Sequence, residues 1–270
     1  MIKKKIGVIG FGNMGEAIIS RLVARISGSG KALMVADVDK TKLKKAHKRY
    51  KVLVADNNRA LAIFSDVIII AVKPKDFEAL LREIAPFLSK AKIVISIAAG
   101  ITTGYIEKHL AKKIAVIRVM PNMPAMIGEA ISSISAGAFA ARPHMKTVKD
   151  IFSSIGEVVE VDEKLVDGVT AVSGSGPAYF FYLMESLIEA AMALGFDEAK
   201  AKRLVFRTAL GGAKLVEALG LHPKELRAKV TSKGGTTEAA LGVLESEGFK
   251  AMVKRAVTAA RDRSRELSNS

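Results

Sequence analysis

Short apolar runs alternate with helical patterns from Lys4 to about Val119. The runs lie at 6–9, 32–36, 52–54, 67–72, 93–97 and 114–119. Near-continuous apolar strands separated by helices are typical of a parallel sheet that is covered on both faces. Because crossovers between such strands are right-handed, the pattern predicts a doubly wound α/β fold whose ligands lie outside the carboxyl ends of the strands.

The pattern changes after this region. Two strand-like runs, 130–136 and 158–161, flank a predicted helix near 143–154, and we expect them to extend the same sheet at its edge. From Glu163 onward only helical patterns occur, near 163–172, 177–194, 197–218, 223–230, 236–247 and 249–267. The sequence therefore predicts an α/β domain over 1–162 and an all-α domain over 163–270.

The predicted helix 177–194 is apolar almost all round its circumference. Such a helix must be buried on most of its faces, and a domain of roughly a hundred residues offers few elements to cover it. We therefore expect this helix to be buried between two subunits of a homodimer or of a dimer-based higher oligomer.

A glycine-rich turn, Gly10-Phe11-Gly12-Asn13-Met14-Gly15, connects the first strand to a predicted helix. In a dinucleotide-binding turn the glycines permit a tight bend, close approach of the backbone to a pyrophosphate, and close packing of helix and strand. Taken alone, the pattern is equally compatible with a simple helix-packing turn. Asp37 ends the second apolar run, 22 residues after Gly15, where an acid is expected to meet the adenosine ribose. This context predicts a Rossmann domain.

Three loops follow the fourth, fifth and sixth predicted strands and belong on the rim that carries the glycine turn. They are Ala71-Val72-Lys73-Pro74, Ser96-Ile97-Ala98-Ala99-Gly100 and Met120-Pro121-Asn122-Met123-Pro124. Taken singly, each is explained by a proline or glycine that ends a strand. Together they favour a cofactor site, where the small Ala98 and Ala99 let a flat nicotinamide lie close and Asn122 bonds its carboxamide.

A second glycine turn, Gly234-Gly235-Thr236-Thr237, precedes a helix that starts near Glu238. Glycines that lead into a helix N-terminus direct free N–H groups at a bound group, usually an anion. The alternative interpretation is a helix–helix turn with a threonine cap.

Composition narrows the class of protein. The 270 residues are 50% hydrophobic and include no cysteine, which excludes disulfides and thiolate chemistry and fits a reducing compartment. The four histidines are scattered without an i, i+4 pair, so we predict no metal site. The purest apolar run, 67–72, is too short to span a bilayer, and we read no export signal in the lysine-rich start. We expect a cytoplasmic protein that makes no membrane contact.

The net charge of +15 and the pI of about 9.9 raise the hypothesis of nucleic-acid binding. The densest basic cluster, Lys40 to Lys51, has seven basic residues with a single aromatic ring, Tyr50, and no recognition motif. Such a run is typical of a solvated helix face. We therefore predict no nucleic-acid partner and expect the cluster to attract an anionic dinucleotide.

These motifs together resemble the pyrroline-5-carboxylate reductase family, and the likeness runs nearly end to end. Its most specific part is the pair Ser173-Gly174-Ser175-Gly176-Pro177-Ala178-Tyr179 and Gly234-Gly235-Thr236-Thr237-Glu238. The resemblance implies an N-terminal Rossmann domain and a helical domain that dimerises through interleaved long helices. It also implies that a reduced nicotinamide cofactor delivers hydride to the ring C=N of 1-pyrroline-5-carboxylate and yields L-proline, the last step of proline biosynthesis.

The resemblance further implies roles for individual residues. The glycine turn 10–15 holds the cofactor diphosphate, Asn58 contacts the adenosine end, and 71–74 with 98–100 line the nicotinamide ribose and ring. The turn 234–237 receives the substrate carboxylate and nitrogen, with Thr237 bonding the nitrogen, while Glu163 approaches the substrate ring.

Two positions depart from the family pattern. Lys233 stands where the family usually has proline, which implies a looser turn that favours anions, and Met123 replaces a common threonine near the rim loop. Cofactor choice is balanced, because Asp37 favours NADH while Lys40 and Lys42 lie close enough in sequence to bind the 2′-phosphate of NADPH. We expect both cofactors to work.

A cyclic imine can enter its site protonated, so that its carbon already accepts hydride, and the protein mainly has to orient two bound molecules and exclude water. No strong general acid is required. Two other functions stay open at this point. One is a reductase for a related imine or keto acid, and the other is a non-catalytic protein that senses a dinucleotide or binds nucleic acid.

Overall fold

The computed structural model describes residues 3–26 and 31–269. Its strands are β1 (Ile6–Ile9), β2 (Leu33–Ala36), β3 (Leu53–Val54), β4 (Val67–Ile70), β5 (Ile93–Ser96), β6 (Ala115–Met120), β7 (Ala130–Ala136) and β8 (Gly156–Glu160). They form one sheet in the order β3-β2-β1-β4-β5-β6-β7-β8. The doubly wound α/β fold is confirmed, as is the extension of the sheet by two further strands.

One feature of the sheet differs from the sequence pattern. Strands β1 to β6 pair in parallel, β7 runs antiparallel to β6, and β8 is parallel to β7. A parallel pair needs a crossover of a dozen or more residues, whereas β6 and β7 are joined by a short loop that contains the 3₁₀ turn Met123–Ile127. The short connection therefore reverses the chain direction.

Helices cover both faces of the sheet. They are α1 (Asn13–Leu22), α2 (Lys40–Tyr50), α3 (Asn58–Phe64), α4 (Phe77–Ile84), α5 (Thr103–Leu110) and α6 (Arg142–Phe152). Buried side chains of α1, α2 and α6 pack in one apolar cluster, and those of α3, α4 and α5 pack in a second cluster. In α4 the buried Phe77, Leu80, Leu81 and Ile84 have the i, i+3, i+4, i+7 spacing of a helix with one apolar face.

The remaining elements are helical. After the 3₁₀ turn Glu163–Leu165 come α7 (Val166–Val169), the π-helical turn Thr170–Gly174, α8 (Gly176–Ala193), α9 (Glu198–Leu219), α10 (Pro223–Lys229), α11 (Thr236–Ser246) and α12 (Phe249–Asn269). The long helices lie where the sequence pattern predicts them. The predicted helix 163–172 is instead a succession of short 3₁₀, α and π segments, and Gly168 within it and Gly174 just after it are weak helix formers.

The chain divides into two compact units. One comprises Met1–Ser175 with Ala260–Ser270, and the other comprises Gly176–Ala259. The first unit contains the sheet, and the second contains α8 to α11. The division into domains 1–162 and 163–270 stays a prediction. A unit that is compact by its internal contacts need not have the same boundaries as a domain defined by sequence pattern.

Helix α8 presents large apolar side chains at the surface of the single chain. Phe180, Phe181, Leu183 and Leu187 are all exposed, and Tyr182 is 72% exposed. Monomeric proteins rarely expose a contiguous apolar patch of this size, and such a patch marks an interaction face. None of the described helices is both long and apolar enough to cross a membrane.

Candidate functional site

The glycine turn after β1 is fixed by packing against β2 and β4. The N–H of Gly10 donates to Ala36 (2.8 Å), and the N–H of Ala71 donates to Ile9 (2.7 Å). Gly10 has a φ of +100°, and a Cβ added there would lie 2.6 Å from the carbonyl oxygen of Ala71. A Cβ at Gly15 would overlap the carbonyl oxygen of Gly10. These two glycines are therefore required by close backbone approach.

The N-terminus of α1 is open at the same place. Its N-cap is Gly12, which has no side-chain cap, and a Cβ added at Gly12 meets nothing within 4 Å. The first intrahelical bond runs from the N–H of Glu16 to Gly12 (2.8 Å), so the N–H groups of 13–15 have no helical acceptor. Free amides beside open space fit the diphosphate of a dinucleotide.

Asp37 is bound to this turn rather than standing free at the end of β2. Its Oδ2 accepts the N–H of Phe11 (2.6 Å), its Oδ1 accepts the N–H of Asp39 (2.8 Å), and Lys42 Nζ lies 4.0 Å from Oδ2. The side chain is only 8% exposed. Asp37 therefore holds the glycine turn in place, a role that the sequence analysis did not assign to it. Each oxygen keeps further acceptor capacity, so ribose binding stays a prediction.

The three predicted loops follow β4, β5 and β6, which lie side by side with β1 in one parallel order. Their carboxyl ends therefore share one rim with the glycine turn. Ala71, Val72 and Ala99 are half-buried and Ala98 is buried, while Lys73 and Pro74 are exposed. Small side chains thus line much of the rim.

Gly100 has a neighbour that the sequence gives no sign of. Its φ is +78°, and a Cβ there would lie 2.7 Å from the carbonyl oxygen of Leu267 in α12. This glycine is required by the approach of a distant backbone segment. A direct contact with the nicotinamide stays a prediction for Gly100.

The two predicted amide side chains already have protein partners. Asn122 Oδ1 accepts the N–H of Ile131 (3.1 Å), and its Nδ2 donates to the carbonyl of Ser173 (3.2 Å). Asn58 Nδ2 donates to Glu83 Oε2 (2.8 Å). Because each NH₂ has two donors, one N–H of each residue is left for a ligand.

Glu163, the predicted substrate contact, lies at the N-terminus of α5. Its carboxylate accepts the N–H of Thr103 (2.8 Å) and the hydroxyl of Thr103 (2.6 Å), and its Oε1 lies 3.6 Å from Arg118 Nη1. A carboxylate in this position also stabilises the positive end of the helix. The structure thus gives Glu163 an anchoring role, and its contact with substrate stays a prediction.

Arg118 was missed by the sequence analysis. It is 3% exposed, and its Nε and Nη2 have no hydrogen-bond partner among the described residues. The available signal was a single arginine inside the apolar strand 115–120. A charged side chain buried in this way is rare without a partner.

The second glycine turn leads into α11. Gly234 has a φ of +72°, and its N–H donates to Glu238 Oε2 (2.7 Å). The N–H of Gly235 donates to the carbonyl of Ser232 (3.0 Å). Two of the amides expected at this turn are therefore engaged within the turn itself.

The start of α11 leaves the other amides free. The N-cap is Gly235 without a side-chain cap, and the first helical bond runs from the N–H of Ala239 to Gly235 (3.2 Å). Thr236 and Thr237 are the first two helical residues, so the alternative of a threonine cap is wrong for this turn. The half-buried Thr237 hydroxyl has no partner among the described residues, and Lys233 is exposed.

Comparison with known proteins covers the whole chain. Two family models match, one described as pyrroline-5-carboxylate reductase dimerisation over residues 163–267 and one as NADP oxidoreductase, coenzyme F420-dependent, over residues 5–100. The pyrroline-5-carboxylate reductase of Synechocystis is 39% identical over 97% of this chain and 98% of its own length. The Escherichia coli enzyme of that name is 36% identical over 100% of both chains.

Solved structures agree with the sequence relatives. A pyrroline-5-carboxylate reductase from Coxiella burnetii has a TM-score of 0.92 and 35% identity, with 99% of each chain covered. The Plasmodium falciparum pyrroline carboxylate reductase, solved with NADP bound, has a TM-score of 0.90 and 32% identity, again with 99% of each chain covered. The chain therefore belongs to the pyrroline-5-carboxylate reductase family.

Proposed function

We propose that this protein catalyses the NADPH- or NADH-dependent reduction of 1-pyrroline-5-carboxylate to L-proline, the last step of proline biosynthesis. The observation that carries the proposal is family membership over the full chain, with both glycine turns present. Hydride adds to the carbon of the ring C=N, and the nitrogen keeps its proton as the amine of proline. When bound, the reduced nicotinamide supplies that hydride.

We assign cofactor binding to the first unit. The amides of 13–15 and the open space beside Gly12 suit the diphosphate, and Asp37 holds the turn that carries them. Further proposed contacts are Gly10, Phe11, Gly15, Asn58, Ala71, Val72, Lys73, Pro74, Ala98, Ala99, Gly100 and Asn122. The small side chains among them let a planar ring lie against the rim.

We assign substrate binding to the turn Gly234–Thr237. The free amides at the start of α11 provide donors for the carboxylate at the positive end of a helix, and the unpartnered hydroxyl of Thr237 provides one directional bond for the ring nitrogen. Glu163 is the second proposed catalytic residue. Its carboxylate is already held by Thr103, so its position is fixed before a substrate arrives.

The protein side of the reaction needs binding and orientation rather than acid catalysis. Two reactants held in a productive geometry gain a large effective concentration, and a site that excludes water protects the reduced cofactor. The helix N-termini contribute fixed partial positive charges to anionic groups. No residue has to deliver a proton to carbon.

We also propose a homodimer or a dimer-based higher oligomer in the cytoplasm, with domains at 1–162 and 163–270. The exposed apolar row on α8 and the match of a dimerisation family model from residue 163 support the assembly and the boundary. Sedimentation at micromolar concentration tests the assembly. A folded, active monomer would contradict it.

The reaction is tested by following oxidation of NADPH and NADH with added 1-pyrroline-5-carboxylate and by detecting L-proline as product. We expect turnover with both cofactors. A 2-keto acid of similar size serves as the control substrate and should give no comparable rate. Cofactor binding without oxidation in the presence of the pyrroline would overturn the proposal.

A further inference from the structure

A polar cavity of about 340 Å³ lies within the first unit, beside β6 and the end of α12. Three positively charged side chains line it, those of Arg118, Lys164 and Arg265, and two negatively charged ones, those of Glu163 and Asp167. The lining thus carries one more positive than negative charge. Neither the glycine turn 10–15 nor the turn 234–237 contributes to it.

Arg118 is the buried member of this lining, at 3% exposure. Its Nη1 faces Glu163 at 3.6 Å, while Nε and Nη2 have no partner among the described residues. Those two nitrogens form one edge of the guanidinium, where two N–H bonds point in parallel. That edge is the fork that binds a carboxylate or phosphate through two hydrogen bonds.

The acidic residues of the cavity are already engaged by other donors. Glu163 accepts two hydrogen bonds from Thr103, and Asp167 accepts the hydroxyl of Ser264 (2.8 Å). They therefore leave the fork of Arg118 unfilled. Lys164, which pairs with Asp162 (3.0 Å), and Arg265, which lies 4.0 Å from Asp262, are the exposed cations of the lining.

One rival partner for the fork is Glu107 on α5, whose Oε1 is also buried without a partner among the described residues. Glu163 is nevertheless the one ion-pair partner of Arg118 in the described chain. A carboxylate of the protein therefore does not fill the fork in this structure.

We propose that this cavity binds a small oxyanion, held side-on by Arg118 and flanked by Lys164 and Arg265. A phosphate and the carboxylate of a small acid share the required chemistry. The site is additional to the proposed substrate turn, which lies in the other unit. Glu163, which anchors α5 and is a proposed catalytic residue, also belongs to the lining, so a bound oxyanion would lie beside it.

The test is calorimetric titration of the full-length protein with inorganic phosphate, and separately with acetate, at constant ionic strength and without cofactor or pyrroline. We expect saturable binding at one site per chain. Arg118→Lys keeps the charge but loses the fork and should weaken binding by about tenfold or more. Arg265→Gln, an exposed change, should weaken it by roughly threefold to tenfold and preserves the test if the Arg118 variant does not fold.

Three controls separate this cavity from other anion sites. Lys146→Gln removes an exposed, paired lysine on α6 and should leave the affinity unchanged. Lys42→Gln beside Asp37 and Thr237→Ala at the substrate turn should also leave it unchanged, whatever their effect on catalysis. A loss confined to Lys42→Gln or Thr237→Ala would assign the anion to those sites and overturn the proposal.

Two further results would overturn it. One is the absence of saturable binding of either anion to the unmodified protein. The other is a rise in affinity of about tenfold in Glu107→Gln, which would assign the fork to Glu107. Comparison of the phosphate and acetate titrations then identifies which kind of oxyanion the cavity prefers.

Discussion

The two glycine turns both lead into helix N-termini, yet they are stabilised in different ways. At the first turn, Gly10 and Gly15 are packed against the backbone of neighbouring segments, and the carboxylate of Asp37 holds the N–H of Phe11. At the second turn, a Cβ added to Gly234 meets nothing within 4 Å, and its N–H is bonded to Glu238 four residues ahead. The first turn is fixed by tertiary structure, and the second by its own sequence.

We therefore expect substitutions in the first turn to affect folding and substitutions in the second turn to affect ligand binding. A change in the first turn disturbs the sheet that the whole unit is built on, whereas a change in the second turn affects mainly what binds there. The carboxylate of Glu238 also sits where an anion would lie, so a substrate carboxylate has to use the remaining amides of the turn.

The largest contrast is expected within the first turn itself. Gly15→Ala places a Cβ against the Gly10 carbonyl and should cost about 3 kcal/mol or more, because a backbone atom cannot move aside. Gly12→Ala adds a Cβ into open space at a φ of −82° and should leave stability unchanged or slightly higher. It should weaken cofactor binding by about tenfold or more. Urea unfolding and cofactor titration of both variants measure the contrast, and equal stability losses would contradict it.

At the second turn, Thr237→Ala should lower kcat/KM for the pyrroline by roughly tenfold to a hundredfold, the equivalent of about 1.5–3 kcal/mol. Its Tm should stay close to that of the unmodified protein, because the hydroxyl neither caps α11 nor bonds another described residue. Thr236→Ala, at the preceding exposed position, is the matched control. Full activity in a destabilised Thr237 variant would rule out the catalytic assignment.

Asp37→Ser tests whether the cofactor preference of the first turn can be changed without unfolding the turn. We expect the ratio of kcat/KM for NADPH to that for NADH to rise by about tenfold, since a negative charge near the 2′-phosphate is removed. Stability should fall by about 1–2 kcal/mol as the N–H groups of Phe11 and Asp39 lose a charged acceptor. Asp39→Ser keeps a good helix cap on α2 and should alter neither quantity. An unchanged cofactor ratio would show that Asp37 does not face the ribose.

The smallest effect concerns Glu16, which joins α1 to α2. Burial raises the pKa of its carboxyl, but hydrogen bonds from Lys45 and Tyr50 outweigh burial and hold the pKa below the usual 4.5. A lowered folded-state pKa means that the stabilisation is present above the unfolded-state value and is lost as pH falls through the folded-state value. Glu16→Gln should therefore cost about 0.5–1 kcal/mol at neutral pH.

Urea unfolding at pH 7 and near pH 3 measures this effect. The difference between the Gln variant and the unmodified protein should shrink at the lower pH, because the stabilisation from the charged carboxylate is lost as pH falls toward its lowered folded-state pKa. Lys146→Gln, which breaks an exposed pair on α6, is the control and should show a smaller change. A difference that is constant with pH would contradict the assignment.

The sequence was sufficient for features that depend on periodicity. Apolar runs located the eight strands, and the glycine turn after β1 predicted a dinucleotide site on the rim where the loops after β4, β5 and β6 also lie. The sequence pattern was insufficient where residues far apart in the chain meet. Three features depend on packing that no local pattern encodes. They are the bond from Phe11 to the Asp37 carboxylate, the burial of Arg118 and the backbone contact at Gly100. The reversed direction of β7 was readable in principle from the short connection that precedes it.

The approach of Leu267 to Gly100 also bears on how the protein is made. The two residues are 167 positions apart, so the rim loop after β5 keeps an uncovered glycine until residue 267 has left the ribosome. The hydrogen bond from Ser264 to Asp167 joins the same late segment to α7. Contacts of such long sequence separation form slowly, because the loop between them must close first. During synthesis the sheet can therefore assemble early, while the rim beside Gly100 is completed only after α12 has been made.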